Sequence, residues 1–345
     1  MELLECTLRD GSYAIDFQFT KEFTQDFCGA IEQLGFKYIE VGHGMGIGAG
    51  TVHRQAAATD EDYGEAAQKG AKNSKWGMFA QPSFSTIGSI RRLRNIGMSF
   101  IRIGIDVENL NLGIEFAQEC SEIGLEVYIN LMKSHKSSPD SLVASTSFFG
   151  ELRYIDGLYL VDSAGGMLQS SVQEYCEKLR NSLGDTLKLG FHGHDNLGLA
   201  LPNSILAIRN GFNLIDCTMQ GMGRSAGNAN AERLISLLSR EQIDTSIDPI
   251  EVMKVSEKYI RPLLPKAGHS GLDTMAGFVL FHTAYMENLL NLARKERIDP
   301  YYLMKEISSQ SFEGVSLSKI VDKVRLQGHT LTFPIPNDPY HGNEQ

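Results

Sequence analysis

Eight short apolar runs, each of a length suited to a strand, recur through the first 219 residues with segments of helical pattern between them. The runs are LLECTL (3–8), YIEV (38–41), SKWGMFA (74–80), SFIRIGI (99–105), LEVYINL (125–131), DGLYLVD (156–162), LKLGFH (187–192) and NLIDCTM (213–219). Between them, 19–35 carries apolar groups at helical spacing with Thr20 as its cap, and 89–97, 112–124, 171–184 and 201–211 are helical patterns closed by glycine. Several runs are too apolar to leave one face in water, so the strands are expected to be parallel and covered by helices. Closure removes the sheet edges, which favours a (β/α)8 TIM barrel over an open doubly wound sheet, the alternative that the pattern leaves standing.

The chain continues past this unit. The expected division is a barrel over 1–240, a helical extension over 241–330 and an irregular tail over 331–345, the last with three prolines. Within the extension, 240–265 leads into a helical pattern broken by Pro262 and Pro265, and 271–296 contains a second helix whose apolar side chains need a partner. A net charge of −10 argues against nucleic acid or an anionic membrane as the main partner. With no leader-like start and no run of membrane-spanning length, the cytoplasm is the expected location. The five cysteines lie far apart without a CxxC pair and are expected to be buried small residues.

Chemistry concentrates at three places. Arg9 and Asp10 follow the first run directly and precede Gly11, which eases a turn. Taken alone the pair could be a local ion pair or cap. In FHGHDNLGLA (191–200), His192 and His194 point to one side of an extended backbone, so two imidazoles can meet one ion. An isolated HxH is as readily structural, but this pair ends the seventh strand, and in a closed barrel the first and seventh strands both neighbour the eighth. Asp10 can therefore converge with it. The loop after the eighth run, GMGRSAGNA (221–229), lacks a phosphate-loop pattern and brings Asn228 to the same end. One carboxylate, two imidazoles and an amide suit an open octahedral site. Mn is the first choice, with Mg, Co and catalytic Zn as alternatives.

At these motifs the chain resembles the metal-dependent aldolase and lyase family of 4-hydroxy-2-oxovalerate aldolase and 3-hydroxy-3-methylglutaryl-CoA lyase. TLRDG (7–11), FHGHDNLGLA and GMGRSAGNA carry the likeness, and IEVGHGMGIG, LMKSH and VDSAGG place it nearest the 4-hydroxy-2-oxovalerate aldolase branch. The resemblance implies a barrel followed by helices, a metal on Asp10, His192, His194 and Asn228, and Arg9 stabilising an enolate. Two positions depart from the branch: Tyr13 stands where it carries a histidine, and Met275 where it carries a tyrosine.

The expected reaction is cleavage or formation of a 4-hydroxy-2-oxo acid through pyruvate enolate and an aldehyde. Tyr13 is placed to help with the alcohol proton, and His43, after the second run, is the alternative acid or base. His135 and Asp162, after the fifth run and at the end of the sixth, are expected to position substrate or its loop. Lys133 is a weaker candidate, for a Schiff base. An acyl-CoA lyase or condensing enzyme is the alternative chemistry, and a nonenzymatic metabolite-binding or assembly protein the alternative class. A homodimer or larger assembly is expected from the apolar extension, and the resemblance implies an acylating aldehyde dehydrogenase as a partner.

Overall fold

In a computed structural model, the structure describes residues 1–264, 271–309 and 316–331. Eight strands, β1 (Glu2–Glu5), β2 (Tyr38–Val41), β3 (Lys75–Ala80), β4 (Phe100–Asp106), β5 (Glu126–Met132), β6 (Gly157–Asp162), β7 (Lys188–Gly193) and β8 (Leu214–Cys217), pair in sequence order into a closed barrel. All pairs are parallel, and β1 closes on β8 with Leu4 opposite Asp216. The open-sheet alternative is thereby removed.

Period-two alternation sorts the strand residues between two cores. One parity, including Ile39, Ile101, Ile129, Leu160 and Ile215, packs against the outer helices. The other fills the barrel with a layer of Leu4, Tyr38, Phe100, Tyr128, Tyr159 and Leu214. Gly190 makes room for this layer, since a Cβ there would lie 2.5 Å from the Tyr159 ring. Two residues further along, the inward positions of β2, β4, β5, β7 and β8 are polar, Glu40, Arg102, Asn130, His192 and Asp216, all buried, while Cys6 and Val161 keep those of β1 and β6 apolar. An apolar and aromatic floor thus supports a charged layer beneath the C-terminal ends of the strands, where (β/α)8 barrels build their sites.

The first helix runs over Lys21–Leu34, and Thr20 caps it by accepting the Phe23 N–H. Helices at Asp60–Gly70 and Pro139–Thr146 were not among those expected. The former buries little beyond Tyr63, Ala66 and Ala67, so its apolar pattern is faint, although Thr59 and Asp62 form a capping box. The helix Pro249–Tyr259 returns to the barrel, with Val252 in the barrel's outer core and Tyr259 against Phe23 and Phe27.

The stretch 271–296, expected to contain a helix, holds two with an interruption between them. A helix over Gly271–Phe278 ends before Leu280, which adopts a left-handed φ of 57°. A short turn at Thr283–Tyr285 follows, capped by His282, and the chain is helical again over Met286–Glu296. These segments and the helices Pro300–Ser309 and Leu317–Leu326 share a second core around Ala276, Leu290, Leu303 and Val324. Apart from Leu331 the expected tail lies outside the described residues. Among the described residues no helix is long and apolar enough to cross a membrane.

Candidate metal centre

After β1 the Cys6 carbonyl accepts from the N–H groups of Arg9, Asp10 and Gly11, which curls the chain into a short turn over Asp10–Ile15. Thr7 ties this turn to the strand across the seam, its hydroxyl accepting the Met219 N–H at 2.8 Å. Asp10 therefore stands over the end of the barrel beside β8. His192 rises from β7, and His194, one residue past that strand, bridges to Asn228 in the loop after β8.

Ligand atoms of Asp10, His192 and His194 lie within 4.8 Å of one another, and all three residues are buried. Both imidazoles are oriented from behind. His192 Nδ1 lies 2.7 Å from the Asp216 carboxylate, so that nitrogen carries the proton and Nε2 presents its lone pair toward Asp10, 3.8 Å away. His194 Nδ1 faces the Gly227 carbonyl at 3.2 Å, which leaves its Nε2 open in the same way. Asn228 donates from Nδ2 to Asp10 at 3.0 Å and to the Met222 carbonyl, while its Oδ1 is buried without a hydrogen-bond partner among the described residues. An orphaned amide oxygen beside a carboxylate and two imidazole lone pairs is a donor set that fits a divalent cation. Gly223 keeps the cradle open, because a Cβ there would meet Asn228 at 2.2 Å.

Charge at the site follows from burial and pairing. Burial raises the cost of the Asp10 anion, but Arg9, His194, His192 and the Asn228 hydrogen bond outweigh it and hold the carboxyl well below the usual range. Burial pushes His194 down to about 4, so its ring is neutral and able to ligate at neutral pH. A second cluster, Cys6, His192 and Asp216, lies on the other side of the His192 ring. Burial first, and Asp216 next, push the Cys6 thiol well above its ordinary value, and Asp216 already holds His192 Nδ1, so this side does not offer a thiolate and a free imidazole.

Beneath the site runs a buried ion-pair chain that the sequence reading missed. Arg9 Nε meets Glu40 at 2.6 Å, and its Nη1 meets Asp10. The same Glu40 oxygen takes Arg102 Nη1 at 3.0 Å, and Arg102 Nη2 meets Asp216 at 2.6 Å. The signal was available: a charged residue at inward parity within each of three apolar strand runs.

The other expected residues divide. Tyr13 is buried and lines the pocket with Arg9, Asp10, His192, His194 and Arg224, whose guanidinium lies 5.3 Å over the Tyr13 ring. His43 is not brought in: its Nδ1 accepts the Met45 N–H, its Nε2 lies 2.9 Å from the Arg54 carbonyl, and its ring stacks on Phe17. Asp162 accepts the N–H groups of Gly166 and Met167 and thereby holds the loop after β6. His135 lines a separate cavity, and Lys133 is paired with Asp106 at 2.7 Å. His282, which sequence reasoning passed over, reaches the pocket from the interrupted helical segment.

Residues 1–258 match the model of the family described as HMGL-like. The chain is 29% identical over 324 residues to 4-hydroxy-2-oxovalerate aldolase of Carboxydothermus hydrogenoformans, covering 93% of this chain and 96% of that one. It is 31% identical to oxaloacetate decarboxylase of Mycobacterium tuberculosis, over 93% and 95% of the two chains. Among solved structures, the N-terminal domain of a putative aldolase from Bacteroides vulgatus superposes with a TM-score of 0.70 at 24% identity, over 86% of this chain and 98% of that one, a likeness of fold.

Replacing His194 with alanine should abolish stoichiometric Mn2+ binding, and Asp216→Asn should weaken it by about 10- to 100-fold by releasing the His192 ring. Isothermal titration with Mn2+ checks both. Parental affinity in the two variants would show that no ion sits here.

Proposed function

The chain belongs to the HMGL-like family, and on that premise we propose that it is a divalent-metal-dependent aldolase, cleaving or forming a 4-hydroxy-2-oxo acid through pyruvate enolate and an aldehyde. The observation that carries this reading is the meeting of Asp10, His192 and His194 beside a guanidinium in one small buried pocket. A divalent ion held by these residues and Asn228 would supply Lewis-acid polarisation of the 2-oxo group, with Mn preferred because two imidazoles soften the donor set.

Arg9 has a defined part. With Nε on Glu40 and Nη1 on Asp10, neither ion pair engages its Nη2, which can donate to the oxygen on which negative charge grows as the carbon–carbon bond breaks. That guanidinium is held rigidly, with Glu40 on one edge and the Phe79 ring 4.9 Å from its carbon. Little reorganisation is then needed when charge develops. Tyr13 lines the same pocket, and its hydroxyl is the group we assign to accept a hydrogen bond from the 4-hydroxyl.

A second reading, oxaloacetate decarboxylation, is favoured by one observation besides the relative of that name: neither His43 nor His135 lines the metal pocket, and loss of CO2 needs no base at C4. Offering oxaloacetate and 4-hydroxy-2-oxopentanoate side by side separates the two. We also place the protein in the cytoplasm as a homodimer or larger assembly, and extend the partner proposal to an acylating aldehyde dehydrogenase. Exposed Tyr302, Leu317 and Leu326 support a covered surface on the helical unit, and a protein that sediments as a monomer at all working concentrations would rule out the homo-oligomer.

Proton exchange at the methyl group of pyruvate in D2O tests the enolate chemistry without the natural aldehyde. The Mn2+-loaded parent should exchange, and Arg9→Lys, which keeps the charge but not the planar fork, should exchange at least about 100-fold more slowly with its metal retained. A loaded parent that leaves the methyl protons in place ends the aldolase reading. Parental exchange in Arg9→Lys ends the role given to Arg9.

A further inference from the structure

Resting on the aldolase reading, we infer that the helical unit seats the aldehyde half of the substrate: His282 donates to its oxygen, and an apolar carbon chain lies in the cavity behind that ring. His282 sits at the interruption between the helix Gly271–Phe278 and the turn Thr283–Tyr285, buried and facing the pocket of Asp10, His192 and His194. It lies outside the 1–258 stretch that carries the family match.

Its hydrogen bonding fixes what it can do. Nδ1 accepts the Ala284 N–H at 3.2 Å, so in the neutral ring the proton resides on Nε2. That N–H has no protein partner among the described residues. Burial, with Arg224 and Lys133 nearby, favours the uncharged ring. His282 can therefore donate to a substrate oxygen, but it cannot take a proton from one while the Ala284 bond stands. The matching oxygen is that on C4. When the C3–C4 bond breaks, its electron pair passes into the pyruvate enolate and the C4 oxygen becomes the aldehyde carbonyl. The hydroxyl proton leaves by way of the Tyr13 oxygen to water, and the enolate later takes a proton at C3. A neutral N–H held against the C4 oxygen stabilises its negative charge in either direction.

Space decides the chain. The metal pocket offers ≈ 50 Å³, enough for a small oxo-acid head and little else. His282 also lines a neighbouring, partly open cavity of ≈ 630 Å³, whose wall is mostly apolar through Val279, Phe281, Leu289 and Leu292 and also includes Glu108 and Lys136. A substituent on C4 that passes this ring meets a mostly apolar wall, so the aldehyde class that fits is unbranched and aliphatic, longer than acetaldehyde.

The test pairs two measurements on the Mn2+-loaded full chain: condensation of pyruvate with acetaldehyde, butanal, hexanal and glyceraldehyde, and methyl exchange of pyruvate alone. Expected is a kcat/KM that rises about threefold to fourfold per added methylene up to hexanal, with a trend that flattens in Leu292→Arg. In His282→Ala the ratio of condensation to exchange should fall about 100-fold, and His282→Gln, which keeps an N–H donor, should recover part of it. Exchange in each variant reports an intact fold and metal site. A parent that prefers acetaldehyde or glyceraldehyde to hexanal overturns the apolar seat, and an unchanged ratio in His282→Ala overturns the donor role, in both cases with the aldolase reading intact. A parent that exchanges no pyruvate protons fails that reading first and this inference with it.

Discussion

A chain of buried charges running from Asp10 through Arg9, Glu40, Arg102 and Asp216 to His192 is what the rest of the site depends on. It links five strands or their extensions, β1, β2, β4, β8 and β7, across the interior of the barrel. Counted formally, three carboxylates face two guanidinium groups, a balance of minus one before any ion is bound. Such charges are tolerable away from water only because each is paired, and removal of one member would leave its neighbours uncompensated at a cost of about 3–5 kcal/mol. The chain also couples structure to chemistry. Through Asp216 it fixes the His192 tautomer, and through Glu40 and Asp10 it sets which Arg9 donor remains for substrate.

This charged layer explains why the floor below it is aromatic. Tyr38, Phe100, Tyr128 and Tyr159 meet edge to face in series around the barrel, and Arg102 lies 4.2 Å over the Tyr159 ring. The rings exclude water from below and offer Arg102 a π-face, so the guanidinium is held without a further carboxylate. A dry, rigid base raises the worth of every electrostatic contact made above it.

Much of the architecture was legible because one physical rule governs it: apolar runs at strand length, separated by capped helices, have few ways to bury themselves. Asp10, His192 and His194 were legible for the same reason, since period two and barrel order fix which side chains share an end. His43 shows where that logic stops. Strand order puts it near the site, but the Met45 amide and the Arg54 carbonyl engage both ring nitrogens, and such local backbone geometry leaves no trace in spacing. His282 was hidden differently. Helical periodicity over 271–296 continues across the interruption, so nothing in the spacing marks His282 as standing at a break. Glu40, Arg102 and Asp216 were readable in principle, as charges at inward parity in otherwise apolar strands.

The central claim is that one ion is held at the barrel's end by Asp10, His192 and His194, with Asp216 acting behind a ligand. Anomalous diffraction at the manganese edge, from crystals grown with Mn2+ and pyruvate, examines this directly. The account predicts a single strong peak about 2.0–2.3 Å from the Asp10 carboxylate and from the Nε2 atoms of both histidines, with Asp216 on the Nδ1 side of His192 and outside the coordination sphere. A peak between Cys6 and Asp216, or one that touches neither imidazole Nε2, would contradict it.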